Sequence, residues 1–184
     1  MKTTDQLIAE LTSEFGDHRC HYLMEEAKRF PWFTDPKASA IERVMGAALW
    51  NCVASYNFIA GINYRAHTAR FFPETNLNFD DLRNQKFGQK LSVWSQVKID
   101  QYRADFVFNF SKDDLTEWVA IECDGHDFHD KTKEQAAKDR ARDRHFQTKG
   151  LAIFRYTGSE IWKNASGCAM DAILFAQRRI LGDA

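Results

Sequence analysis

The apolar run WVAI at 118–121 leads straight into Glu122, Asp124, His126, Asp127, His129 and Asp130. Like charges are thus gathered where a buried strand should end. Two carboxylates about 4 Å apart repel by roughly 4 kcal/mol at an effective dielectric near 20, against a whole-domain stability of about 5–15 kcal/mol. A fold can relieve this by protonation, by ion pairs to Arg or Lys, or with a divalent cation. Hard oxygen ligands without Cys partners suit Mg2+ or Mn2+ better than Zn2+. Directly after the acidic run, residues 131–155 carry eight basic side chains against three acidic ones. A carboxylate metal site bordered by cations matches a phosphodiester: the cations hold the phosphate, and the metal activates water and steadies the departing oxygen. Hydrolysis of nucleic acid is the chemistry this implies.

Strands must bring these groups together. LSVWSQVKI at 91–99 alternates, with Leu91, Val93, Val97 and Ile99 on one face and Ser92, Trp94, Gln96 and Lys98 on the other. YRADFVFNF at 102–110 does the same, with Ala104, Phe106, Phe108 and Phe110 opposite Arg103, Asp105, Val107 and Asn109. Period two over this length reads as a strand, and a short turn makes the pair an antiparallel hairpin. WVAIECD at 118–124 is a third strand, with Glu122 and Asp124 on its polar face. Gln96, Asp105, Glu122 and Asp124 then fall on the polar faces of three consecutive strands, which can unite three carboxylates and a carboxamide.

Residues 131–149 read as a charged helix capped by Gly150, LAIFRYT at 151–157 as a strand laid parallel to the third, and about 167–181 as a closing helix. Upstream, Ser39-Ala-Ile-Glu42 is a capping box that opens a helix with Ile41, Val44, Met45, Ala48 and Leu49 on one face. Two further helices are expected before residue 35, and residues 62–90 carry no clear period. The expected architecture is α/β, a sandwich around a small mixed sheet flanked by helices.

Composition fits one domain. Of 184 residues 44% are hydrophobic and 28% charged, with 15 Phe and 5 Trp to fill a core. Division into a helical appendage over 1–38 and a main body over 39–184 is expected. Four dispersed cysteines without a CxxC pair suit reduced thiols in a cytoplasm. The acidic N-terminus does not read as a signal peptide. The one long uncharged stretch, 44–64, holds Asn51, Ser55, Asn57 and Asn63, which argues against a membrane span. A net charge of −1 excludes a protein that coats nucleic acid by bulk electrostatics. The HRCH at 18–21 lacks a fourth zinc ligand and reads as surface.

SAIE at 39–42, SQVKIDQYRADF at 95–106, IECDG at 121–125, His129, DRARDR at 139–144 and GLAIFRYTGSEIW at 150–162 together resemble a known group. It is that of small bacterial proteins related to the very-short-patch mismatch-repair endonuclease, in the PD-(D/E)xK nuclease superfamily. The resemblance spans about 39–162 with a gap in the middle. It implies a restriction-endonuclease-like α/β sandwich, here with extra N-terminal helices, and a metal-dependent endonuclease acting on DNA. Asp105 resembles the acid of the second strand, Glu122 the (D/E), Glu42 the helix glutamate and Gln96 the glutamine of the first strand. Asp124 stands where the pattern has lysine, as in EDG-type relatives, so the usual charge partner is missing there. Asp105, Glu122 and Asp124 are the implied ligands of Mg2+ or Mn2+, with His129 as proton donor or phosphate contact. The 28-residue stretch from Ala60 to Phe87 is longer than the pattern expects.

Each of these residues has a plainer reading. Glu42 can serve only the capping box, and the basic helix can be a solvated face laced with Asp–Arg pairs. In the sharper reading Arg140 and Arg144, four apart, turn one face onto phosphate. The aromatic stretch YRAHTARFF at 64–72 can stack on bases or fill core. Two rival functions remain: a nuclease-like fold that binds nucleic acid without cutting it, and a partner-binding protein whose acids pair with its own arginines. A double-strand cut by one such site favours a homodimer.

Overall fold

The computed structural model describes residues 39–59, 69–72, 77–85, 91–124 and 132–182. In chain order these form α1 (Ala40–Ile59), β1 (Ala69–Phe72), α2 (Phe79–Arg83), β2 (Leu91–Ile99), β3 (Tyr102–Lys112), β4 (Leu115–Asp124), α3 (Lys133–Thr148), β5 (Leu151–Thr157) and α4 (Gly158–Leu181). The helices expected before residue 35, the HRCH stretch, and His126 and His129 lie outside the described residues. The stretch with no clear period holds β1 and α2.

The five strands lie in sequence order, β1-β2-β3-β4-β5. The central three form an antiparallel meander, and β1 and β5 join its two edges in parallel. Both meander turns are tight. Asp100 and Asp113 adopt positive φ of 51° and 55°, a conformation that Asp tolerates because its short side chain bonds locally. The expected α/β sandwich with a mixed sheet is therefore the fold.

Helices cover both faces. On one, Val44, Met45, Ala48 and Leu49 of α1 meet Phe106, Phe108, Phe110, Val119 and Ile121. Ala165, Ala169, Ala172 and Ala176 give α4 a small-residue stripe that packs into the same cluster. On the other face, Phe79 and Leu82 of α2 and Phe146 of α3 close over Trp94, Val97, Ile99, Ala104, Val107, Trp118 and Ala120.

Two expectations change. Leu91 and Val93 belong to the first cluster, but Trp94, Val97 and Ile99 belong to the second. Ala104 likewise parts company with Phe106, Phe108 and Phe110. The alternation slips by one step at Gln96, whose φ is +54°, and at Asp105 opposite it, between the pairs Ser95↔Phe106 and Val97↔Ala104. A one-residue slip sends every later side chain to the other face, so the strands are apolar on both sides.

The closing helix also begins earlier than expected, at Gly158, where Thr157 and Glu160 form a capping box. Its backbone breaks at Asn164 (φ −159°, ψ 72°). Asn164 Oδ1 accepts from the Gly167 N–H at 2.8 Å and so caps a second segment. The expected start near 167 falls within the first turn of that second segment.

Candidate active site

Pairing between β3 and β4 runs from Lys112↔Leu115 to Phe106↔Ile121. One residue further, the Cys123 N–H donates to Asp105 Oδ2 at 2.8 Å. A side-chain carboxylate has taken over where the backbone ladder ends, at the same point where Gln96 and Asp105 shift face. This split is what sets an acid into the sheet instead of on its surface.

Two layers reach it. From α1, Glu42 accepts a hydrogen bond from Gln96 Nε2 at 3.0 Å through Oε2, while its Oε1 accepts from the Ser39 N–H at 3.4 Å and its own N–H donates to Ser39 Oγ at 3.1 Å. Glu42 therefore completes the capping box with one oxygen and turns the other to Gln96. Gly158, at the head of α4, keeps this corner closed: a Cβ there would stand 3.4 Å from Ile41 and 3.6 Å from the Asp124 carbonyl oxygen.

Two arginines meet the acids from the other side, Arg142 from α3 and Arg155 from the neighbouring strand β5. Glu122, only 3% exposed, meets Arg142 Nη2 at 2.9 Å and Arg155 Nη2 at 3.8 Å, both on Oε2. Arg155 Nη1 donates to both oxygens of Asp124, at 3.2 and 3.1 Å, and its Nε donates to Asp143 at 3.2 Å. Glu122↔Arg155 is a register pair of the parallel β4–β5 ladder, which puts the two side chains on the same face. Sequence reasoning missed both arginines. Arg142 lies four residues before Phe146, the buried residue of α3, and Asp143 three before it, so i, i+3 and i+4 spacing turns them inward. Arg140 and Arg144 lie on the exposed side of that helix.

The charge balance is incomplete despite the arginines. Burial, and then the Glu42 charge, push the Asp105 carboxyl up to about 6 against the pull of the Cys123 N–H. Burial, and then the Asp105 charge, push Glu122 up to about 8, over the opposing pull of Arg142 and Arg155. Protons on such a pair belong to the pair and not to either residue. Burial also drives the Cys123 thiol well up, which removes it as a nucleophile.

Glu122 Oε1 is buried and has no hydrogen-bond partner. Such an atom normally has a neighbour that satisfies it, and an oxygen beside a second carboxylate suits a hard divalent cation. Among the described residues, no group of three His, Cys, Asp or Glu side chains is placed to hold a metal ion. Two carboxylates with waters and a substrate phosphate are a common Mg2+ arrangement, and Asp105 with Glu122 fits it.

Among the described residues no helix is long and apolar enough to cross a membrane. The restriction-endonuclease-like family REase_MTES_1575 matches residues 79–174, just over half of the chain and all of β2 to β5. No curated protein matches. Among solved structures, the crystal structure of HopZ1a in complex with IP6 is similar at 10% identity and a TM-score of 0.33, over 95% of this chain and 56% of that one. That likeness is too slight to carry an argument.

Proposed function

Because the chain belongs to the restriction-endonuclease-like family REase_MTES_1575, we propose that it is a divalent-metal-dependent endonuclease that hydrolyses DNA phosphodiester bonds, akin to the very-short-patch repair group. The observation that carries this is the buried Glu122 Oε1 without a hydrogen-bond partner, on a carboxyl that feels the charge of Asp105. Asp105 and Glu122 would hold Mg2+ or Mn2+, which supplies the charge that makes water nucleophilic and stabilises the leaving oxygen. Around it this chain's own groups set the geometry. The Cys123 N–H fixes Asp105, Arg142 fixes Glu122, and Glu42 holds Gln96 toward the same split in the sheet. Arg140 and Arg144 supply exposed positive charge for the DNA backbone, and His129 is the proposed proton donor to the leaving group.

The rival is a module that binds DNA without cutting it, and it draws on Arg155 covering Asp124. Plasmid nicking with Mg2+, with Mn2+ and with EDTA separates the two. Wild type should nick only with metal, and Asp105→Asn and Glu122→Gln should lose nicking while melting as folded proteins. DNA binding without metal-stimulated nicking by wild type would select the binding module. Nicking by both variants at the wild-type rate would end the two-ligand assignment.

A further inference from the structure

The PD-(D/E)xK pattern places a cation two residues after the strand acid; here that position is Asp124, an anion. The structure brings the missing charge from the neighbouring strand. Arg155 is tethered at three corners: Nε to Asp143, Nη1 to both oxygens of Asp124, and Nη2 facing Glu122 Oε2 at 3.8 Å with no hydrogen bond of its own. Arg142 meets the same Oε2. Both guanidinium groups thus crowd one oxygen of Glu122 and leave the other, Oε1, without a partner. A carboxylate held by one oxygen offers the second in a fixed direction, and an arginine fork with several donors suits that duty better than a single ammonium.

We infer that Arg155 is the positioning residue that replaces the pattern's lysine, and that Asp124 is the anchor of its guanidinium and not a third ligand of the metal. The inference rests on the proposed reading of Asp105 and Glu122 as metal ligands. It explains why an acid is tolerated at position 124: its charge is paired with Arg155, whose Nη2 is thereby turned toward Glu122. It also assigns Asp143, which joins no metal ligand, to holding the far end of the same guanidinium.

Calorimetric binding of Mn2+ and plasmid nicking, measured on the full chain, test this together. Glu122→Gln should weaken Mn2+ binding, whereas Asp124→Asn should leave the Mn2+ dissociation constant unchanged and lower only the nicking rate. Arg155→Gln should lower kcat for nicking by about 10–100-fold, the usual cost of removing an outer partner of a metal ligand, with KM for DNA little changed. Adding Asp124→Lys to Arg155→Gln rebuilds the ExK pattern and should recover much of that loss, which a merely structural role for Arg155 does not foresee. Should that double variant melt as an unfolded protein, Arg155→Lys takes its place and should keep more activity than Arg155→Gln. Loss of Mn2+ binding in Asp124→Asn as deep as in Glu122→Gln, or no advantage of either charge-restoring variant over Arg155→Gln, overturns the inference alone. A wild type that neither binds Mn2+ nor nicks DNA overturns it along with the reading of the site.

Discussion

Asp105 and Glu122 are held as acids in a place that favours their neutral forms. Their ordinary values are 3.8 and 4.5, and in the fold they stand at about 6 and about 8. The folded chain therefore keeps protons that the unfolded chain has already released, so the stabilisation is complete below about pH 4 and disappears as pH rises through 6 to 8. Both shifts run the same way, so the two acids together destabilise the metal-free fold increasingly as pH rises toward 8. Melting of metal-free protein should fall from pH 5 to pH 8, and Glu122→Gln should fall less steeply and melt higher at pH 8. A wild-type curve that rises across this range contradicts the burial argument. These acids were legible in the sequence, because alternation placed Asp105, Glu122 and Asp124 on polar strand faces. Arg155 was not, since it sits inside the apolar run LAIFRYT and gains its role only from the Glu122↔Arg155 register, which no spacing records. A single charge in such a strand is the signal that was there to be read.

Among the elements, α3 shows why a charged helix is hard to orient from its charges alone. The pair Arg140 and Arg144 shares a face, but so do Asp139, Arg142, Asp143 and Phe146, and only the one aromatic residue tells which face goes in. Its outward arginines make their own prediction: changing either to Ala should weaken DNA binding across all sequences and make the salt slope shallower by about one unit per lost phosphate contact. Equal slopes in wild type and both variants would leave that face to solvent. The C-terminus of α3 is tied down by His145 Nε2 to Asp100 at 2.8 Å and by Lys149 Nζ to Asp80 and Asp100, each at 3.0 Å. At the N-terminus the tie is the capping box of Thr132 and Gln135. Thr132→Ala should cost about 1 kcal/mol and lower the melting temperature by about 2–4 °C for a chain of this size. In the strands, alternation gave the right elements but the wrong faces beyond Gln96. The left-handed residue that resets the phase is an ordinary glutamine, and nothing in its type announces it.

At the scale of the molecule, the order of α1, β2, β3, β4, α3, β5 and α4 and the mixed sheet could be read from periodicity, caps and crossover geometry, because most of these elements are amphipathic or apolar over a long run. β1 and α2 could not, being four and five residues long, too short for a period to emerge. The same layout fixes a sequence of events. Gln96, Asp105, Glu122 and Asp124 all lie on β2, β3 and β4, a meander closed by tight turns, whereas Arg142 and Arg155 ride on elements that must dock afterwards. Contacts between neighbouring strands close small loops and tend to form first. We therefore expect the rate-limiting species to carry the acids without their guanidinium partners. Refolding followed by stopped-flow fluorescence of the Trp residues should slow as pH rises from 5 to 8, and Glu122→Gln should refold faster than wild type at pH 8. Arg142→Met should speed unfolding and leave refolding nearly unchanged, since its partner is met only on the way down from the barrier.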